Sequence, residues 1–396
     1  MPKTGTVKHK KQGIKISDHG MFPALVVSSV AVLVTLLYAS ILDVRERSVP
    51  VRTWYPLYVV GAIAVLWYLV SAPSDMRTIA GYAALIVTVV YGIELEAENG
   101  KIPVRVIALI IGATVLQGIA WSFLWKDIGL AAIPGFVILV GVLWEGLEIE
   151  KNASLSEEKL SRFSRWLRVW NIHIAIGIQG IAWAALLLAG RGATGDLLLV
   201  LVALYTELFL VFAATNLFGG ADAIALVTIA LFVPVFPFMP LLGYPPLPFL
   251  PFSALTNAVI LNLVTPIGFA VLNLVKGNRA PFPYTFFGYP VKGDSIENTF
   301  GFVMEDFNDE GGRLERRFIP IRSALRRMVE GKGRIYTKHL KEHPEKFQKE
   351  LALYRKAGTV WISYGVPFIL PILAGFAAAL IGGDILFTVL QALGGW

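Results

Sequence analysis

Residues 22–50 read FPALVVSSVAVLVTLLYASILDVRERSVP, and this stretch decides the fold class. About 20 apolar residues come first, which is the length that a helix needs to cross the hydrocarbon core of a bilayer. Asp43 ends the run, and Arg45, Arg47 and Pro50 follow it. The run is longer than the apolar core of a secretory signal, and no small-residue cleavage pattern follows it. We therefore expect a membrane anchor with a carboxylate at its end.

The composition extends this interpretation to the whole chain. The 396 residues are 56% hydrophobic and 16% charged, whereas roughly 25% of an ordinary soluble domain is charged. The chain has no cysteine, which excludes disulfides, thiolate metal sites and cysteine catalysis. No phosphate-binding loop or metal-ligand spacing occurs, so we expect no cofactor and no metal. The net charge is +7. In a membrane protein, an excess of basic residues is first explained by their preference for the cytoplasmic side of the membrane. We therefore expect no nucleic-acid partner.

The sequence predicts an all-α polytopic membrane protein with about ten transmembrane helices. Each span must be helical because lipid offers no hydrogen-bond partner to the backbone. The closing stretch, Ile385–Trp396, is apolar but too short to cross, and we expect it at the interface. The predicted spans are 22–42, 54–72, 76–93, 104–124, 129–144, 171–190, 195–216, 222–242, 253–275 and 360–382.

Basic residues predict the orientation of these spans. The connections that follow the odd-numbered spans hold 27 of the 35 Lys and Arg residues, and the opposite connections hold three. By the positive-inside rule the richer side is cytoplasmic, which places both termini outside. The basic tail of residues 1–21 is an exception that the rule does not explain. The expected location is a cell membrane, crossed several times, with the lipid bilayer as a partner.

The distribution of polar residues divides the chain into segments. Between the last two spans we expect a small cytoplasmic α+β subdomain over residues 277–358, with strands in Tyr284–Val291 and Thr299–Met304 and a helix over Glu345–Ala357 that ends at Gly358. The predicted segments are the tail 1–21, the first two spans 22–72, further spans 73–194, spans seven to nine 195–276, the subdomain 277–358, and the last span with its apolar tail 359–396.

Two aspartates lie at span ends and need an explanation. Asp43 closes span one, and Asp222 opens span eight after Gly219, Gly220 and Ala221. Six spans separate the aspartates, so both fall on the predicted cytoplasmic face. Two carboxyl groups at one depth suit peptide hydrolysis, because one takes a proton from a shared water while the other donates a proton. Glycines without side chains let an extended substrate backbone approach Asp222.

Simpler interpretations stay open at this point. Asp222 follows a Gly-Gly turn at a helix start, where an N-cap role is sufficient. The arginines after span one are also explained as anchors at the inner surface. A transporter or channel that uses Asp43, Asp222 and Glu207 for protons or cations is the alternative function. That function needs carboxylates distributed along a path across the membrane, whereas a protease needs two that face each other at one surface.

The sequence around both aspartates resembles a known family. Asp43-x-Arg45-x-Arg47-x-x-Pro50 after one span, with Gly219-x-x-Asp222 opening another, is similar to the type IV prepilin peptidases. The resemblance is greatest to their archaeal branch, the preflagellin (prearchaellin) peptidases, which are membrane aspartyl proteases of the GxGD class. Stretches 286–291, 365–368 and 382–384 also look similar to that branch.

The resemblance implies the function of these residues. Asp43 and Asp222 would be the catalytic pair, Gly219, Gly220 and Ala221 the loop that presents the second aspartate, and Arg45, Arg47 and Pro50 motif or anchor residues. The expected activity removes short basic leaders from pilin-like or archaellin-like precursors at the cytoplasmic face.

Partners and departures follow from the same resemblance. The expected partner is a membrane-inserted precursor with a basic leader, and the acidic loop residues Glu305, Asp306, Asp309 and Glu310 are candidates to meet that leader. A homo-oligomer is a further possibility. Ala221 stands where the GxGD pattern has Gly, and the four extra spans within residues 73–194 have no counterpart in the family.

Overall fold

The first half of the described chain is helical. The computed structural model describes residues 22–72, 74, 76–97, 181, 184, 194–214, 218–310, 313–320, 322–324, 335–363 and 368–394. We number its helices and strands in chain order along these residues. The first five helices are α1 (Pro23–Glu46), α2 (Tyr55–Ser71), α3 (Met76–Ala97), α4 (Thr194–Ala214) and α5 (Gly220–Phe232). A short 3-10 turn at Val51–Trp54 leads into α2.

The second half alternates between apolar helices and a polar region. Its helices are α6 (Leu250–Asn262), α7 (Val264–Val275), α8 (Thr337–Glu342), α9 (Gln348–Ala357), α10 (Ile369–Ile381) and α11 (Ile385–Ala392). Between α7 and α10 lie the strands β1 (Gly288–Lys292), β2 (Phe302–Val303), β3 (Glu305–Glu310), β4 (Arg313–Phe318) and β5 (Thr359–Ser363). The predicted small subdomain near the C-terminus is confirmed.

The structure does not support ten spans. Among the described residues, three helical stretches are long and apolar enough to cross a membrane, namely Pro23–Glu46, Val51–Ser71 and Leu250–Val275. A fourth results if α10 and α11, which meet at a 59° bend, form one broken span. Predicted spans four, five and six lie outside the described residues.

Two predicted spans are wrong in extent. Span eight was expected over 222–242, but α5 ends at Phe232, and the chain from 233 to 249 is not helical. Span ten was expected from residue 360, yet Thr359–Ser363 is the central strand of a sheet. Val360, Trp361 and Ile362 are buried in that sheet, and an apolar run of this kind cannot be told from a membrane helix by composition.

The described residues form two compact units. One includes those within 22–29, 62–204 and 236–239, and the other those within 30–61, 205–235 and 240–394. The second unit contains Asp43, Asp222 and the polar subdomain. At its centre α5 is buried on all sides from Ala225 to Phe232, as expected for a helix without a polar face.

Helices α6 and α10 pack in direct backbone contact within the second unit. A side chain at Gly375 of α10 would meet the Ala254 carbonyl oxygen and the Ala258 nitrogen of α6 at 2.4 Å each. Only glycine permits this approach, and small residues at such contacts are typical of helix pairs in membranes. The contact fixes the position of α10 along α6.

A polar network holds the far end of the same pair. Asp384 caps α11 by accepting a hydrogen bond from the Phe387 nitrogen at 2.9 Å, and its other oxygen accepts one from Ser253 Oγ at 2.9 Å. Asn257 donates to the Gly383 carbonyl at 2.9 Å and accepts from the Ile385 nitrogen at 3.0 Å. These bonds satisfy the backbone where the bend leaves it without helical partners.

The subdomain contains a three-stranded sheet and a separate hairpin. The sheet has the order β1-β5-β2 with antiparallel pairs, so the two strands expected near 284–304 pair with β5 rather than with each other. Helix α9 ends at Gly358, whose φ of +72° favours glycine, as predicted. The core contains Val291, Ile296, Val303, Leu340, Leu351, Tyr354, Val360 and Ile362.

The acidic segment expected as a loop is strand β3. It pairs with the basic strand β4 in register, so that Asp306 lies opposite Arg317 and Glu310 lies opposite Arg313. Opposite charges across an antiparallel pair stabilise a hairpin by roughly 0.2–1 kcal/mol each. Charge pairing therefore replaces the apolar alternation from which a strand is usually predicted.

The α6–α10 contact gives a stability prediction. Replacing Gly375 by Ala should destabilise the protein by about 1–3 kcal/mol, because the new methyl group forces two backbones apart. Gly268→Ala is the matched control, since Gly268 lies in α7 with nothing within 4 Å of an added side chain. Thermal unfolding in detergent is the measurement. Equal midpoints for the two variants would contradict the close contact.

Candidate active site

Asp43 lies in the last full turn of α1, where it is half-buried. The Arg47 guanidinium interacts electrostatically with the Asp43 carboxyl group, and the Arg47 nitrogen donates to the Asp43 carbonyl at 3.1 Å. Arg47 has a φ of +54°, in the left-handed region that ends the helix. Its guanidinium carbon lies 5.7 Å from the centre of the Phe300 ring, a cation–π contact with the subdomain. Arg47 thus links Asp43 to the subdomain.

Asp222 is the third residue of α5, and it does not cap its own helix. Gly219 occupies the N-cap position with extended φ and ψ of −65° and 137°. The Asp222 carboxylate instead accepts a hydrogen bond from the backbone nitrogen of Ile369, the first residue of α10. The simple N-cap interpretation of Asp222 is therefore wrong. Two helix N-termini meet at this carboxylate, and both favour negative charge there.

The two glycines before Asp222 differ in what surrounds them. A side-chain carbon added at Gly219 would lie 2.5 Å from Asp222 Oδ2, so the carboxyl group is folded back over Gly219. An atom added at Gly220 would meet nothing within 4 Å. Both glycines are exposed. Gly219 gives the carboxyl group its space, while Gly220 leaves open space beside the carboxyl group.

Aromatic contacts attach the Asp222 turn to neighbouring helices. The Phe218 ring lies 5.5 Å from the Phe368 ring, edge to face, directly before Ile369. Phe218 also meets the Phe209 ring of α4 at 5.5 Å. These contacts keep the start of α5 beside the start of α10, where the bond from Ile369 to Asp222 forms.

The structure brings Asp43 and Asp222 together. The two aspartates lie 179 positions apart in the sequence, yet their carboxyl groups interact electrostatically within one compact unit. No hydrogen bond joins the two groups among the residues that the structure describes. Two carboxyl groups that are close enough to interact can divide the acid and base roles of peptide hydrolysis between them.

The structure also describes the other predicted site residues. Arg45 is exposed and Ala221 is half-buried. Pro50 precedes the turn into α2, and its carbonyl accepts from the Thr53 nitrogen at 3.0 Å. Glu207 lies in the interior of α4. Within the described ranges, no group of three or more His, Asp or Glu residues is placed to hold a metal.

The acidic candidates for leader binding are partly used inside the protein. Glu305 is buried and receives two bonds from Arg316 Nη2, at 2.8 and 3.0 Å, and one from Arg316 Nε at 3.1 Å. Asp309 pairs with Lys356 at 2.6 Å. These two carboxylates stabilise the subdomain, which argues against their meeting a leader.

Comparison with known proteins gives one match. Residues 280–385 match the family model described as Archaeal Peptidase A24 C-terminus Type II. The C-terminal region is therefore similar to the C-terminal part of archaeal A24 peptidases. The resemblance to the prepilin and preflagellin peptidases is thereby confirmed. No curated protein and no solved structure matches the chain.

The A24 region includes the residues that the sequence argument missed. Ile369 and Phe300, which contact Asp222 and Arg47, both lie within 280–385. Phe368 belonged to a family-like stretch, so a partial signal was present for the α10 terminus. Nothing in the sequence marked Phe300, because its role depends on the tertiary contact alone.

Proposed function

We propose that this protein is a membrane aspartyl endopeptidase in which Asp43 and Asp222 form the catalytic pair. The observation that carries the proposal is the approach of two carboxyl groups from distant helices, one of them held by the Ile369 nitrogen. The A24 match, which supports a peptidase, is independent of either aspartate because it begins at residue 280.

The proposed reaction uses one ionised and one protonated carboxyl group. The ionised group takes a proton from water as the water oxygen adds to the scissile carbonyl carbon. The protonated group donates to the carbonyl oxygen. A proton then passes to the leaving nitrogen as the C–N bond breaks. Like charges that approach each other share one proton, which supplies the acid and the base together.

The proposed substrate is a membrane-inserted, pilin-like or archaellin-like precursor, cut at the cytoplasmic face to release a short basic leader. The concentration of Lys and Arg in the subdomain supports this side, because Arg47 beside Asp43 contacts Phe300 of that subdomain. The exposed glycines support an extended substrate backbone beside Asp222. We expect the docked precursor to bring both carboxyl groups onto one water.

The transporter alternative makes a different demand on the structure. It needs carboxylates along a path across the membrane. Of the three carboxylates named for this function, Glu207 alone was predicted to lie in the middle of a span. The pairing of Asp43 with Asp222 and the peptidase match favour hydrolysis. Incubating the purified membrane protein with pilin-like precursors and looking for a shortened product separates the two functions.

The first prediction concerns the pair. Asp43→Asn and Asp222→Asn should each lower cleavage by about 10²-fold or more, because each carboxyl group has its own proton-transfer step. The controls are Glu46→Gln and Asp294→Asn, which remove exposed carboxylates near the ends of α1 and β1. Mass spectrometry of the precursor measures the rate. Substantial turnover by either Asp→Asn variant would remove that residue from the mechanism.

The second prediction compares the glycines. Gly219→Ala should lower kcat by about 10²-fold, because the new carbon displaces the Asp222 carboxyl group. Gly220→Ala, where an added carbon meets nothing within 4 Å, should keep kcat and alter KM alone. Steady-state kinetics on one precursor measure both. Equal losses of kcat in the two variants would contradict the placement of the carboxyl group over Gly219.

The third prediction concerns sidedness. Cysteines placed singly at Ser48 and Ser295, both exposed, should react with an impermeant thiol reagent only from the cytoplasmic side. A cysteine at Leu247, on the predicted outer side, should react only from outside. The chain has no cysteine of its own, so the background should be low. Reaction at Ser48 or Ser295 in intact cells would overturn the orientation.

A further inference from the structure

A cavity of about 400 Å³ lies in the subdomain, apart from the aspartate pair. Its volume is within the range of small-molecule sites. Strands β1, β3, β4 and β5 and the connection after α7 all contribute to its wall. The lining residues are Asn278, Arg279, Pro290, Glu305, Arg316, Phe318, Thr359 and Trp361.

Two arginines give the cavity a positive character. Arg316 is fixed by its three bonds to Glu305, and Glu305 in turn accepts a bond from the Trp361 nitrogen at 2.8 Å. Arg279 is exposed and forms no ion pair with any described residue. Glu305 neutralises one guanidinium, so the cavity retains about one net positive charge and a rigid set of N–H donors.

The cavity opens where the chain leaves the membrane. Helix α7 ends the Leu250–Val275 candidate span, and Leu274 and Val275 are 81% and 79% exposed, as expected of side chains that face lipid. Arg279 follows four residues later. The wall of the cavity at Asn278 and Arg279 therefore lies just beyond the end of a candidate span, where lipid headgroups are expected.

Hydrogen bonds fix this edge of the cavity to the span. Buried Asn273, in the last turn of α7, donates to the carbonyls of Thr285 at 2.8 Å and Gly288 at 2.7 Å. Its side-chain oxygen accepts from Asn278 Nδ2 at 3.1 Å. The polar wall at Asn278 and Arg279 is thus built on the end of the membrane helix.

We propose that this cavity binds a phosphate group, such as that of an anionic lipid headgroup. Guanidinium groups bind phosphate through charge-assisted N–H donors, and two arginines line a space large enough for a phosphate with its glycerol substituent. The position at the membrane border supplies such groups at high local concentration. Binding there would hold the subdomain against the inner surface of the membrane.

The test measures binding of short-chain phosphatidylglycerol to the full chain in a non-ionic detergent by calorimetry. Arg279→Gln should weaken binding about tenfold, because one charge-assisted bond to phosphate is lost. Lys276→Gln is the matched control. It removes one exposed positive charge at the same helix end, outside the cavity, and should change affinity less than twofold. Arg316 is left intact, because its loss would leave the buried Glu305 carboxylate without a positively charged partner.

A second arm uses inorganic phosphate alone. Phosphate that binds as tightly as the lipid, with the same dependence on Arg279, assigns the cavity to free phosphate. Phosphate that only competes weakly assigns it to a lipid headgroup. Equal affinity of the Arg279→Gln variant and the unchanged protein would overturn the proposal, as would an equal loss in Lys276→Gln or no binding of either probe.

Discussion

The backbone contact between α6 and α10 at Gly375 is the constraint on which the candidate site depends. It allows α10 to lie directly against Ala254 and Ala258, so α10 has little freedom to shift along its partner. The start of α10 carries the Ile369 nitrogen that holds Asp222, and its end leads to the cap at Asp384. A shift of α10 by one methyl group would move the donor away from the Asp222 carboxylate. Gly375, which lies in the same helix as Ile369, thus contributes to the position of the Asp222 carboxylate.

The C-terminal region acts on both aspartates, although it contains neither. Ile369 bonds Asp222 directly, and Phe300 contacts the arginine beside Asp43. Both contacts come from the stretch that matches the archaeal A24 peptidases. The C-terminal region therefore provides the contacts beside the two carboxyl groups. The carboxyl groups themselves come from α1 and α5. For this reason the match to the peptidase family and the two aspartates lie in different parts of the chain.

The sequence predicted those features in which a local pattern determines the structure. The apolar run before Asp43, the helix that ends at Gly358 and the polar subdomain are of this kind. The β3–β4 hairpin was missed because most residues of its strands are charged, with opposite charges facing each other in register, as in Asp306 and Arg317. Strand β5 was mistaken for a span because its apolar residues are buried by neighbouring strands instead of lipid. For the site, the sequence identified the aspartates, but the donor to Asp222 depends on a tertiary contact that no local pattern encodes.

The two carboxyl groups are held in different ways, and the difference follows from the helices that carry them. Helix α5 is buried on all sides from Ala225 to Phe232, and the chain that follows it forms a bridge between Val235 and Phe249. The Asp222 carboxylate at the start of this helix is partly removed from water, and the Ile369 N–H replaces part of its hydration. Helix α1 exposes many side chains, including Arg45 and Glu46 beside Asp43. At Asp43 the positive charge of Arg47 offsets part of the cost of burying the carboxyl group. The proposed pair combines one carboxyl group fixed by a backbone bond with one set by a neighbouring side chain.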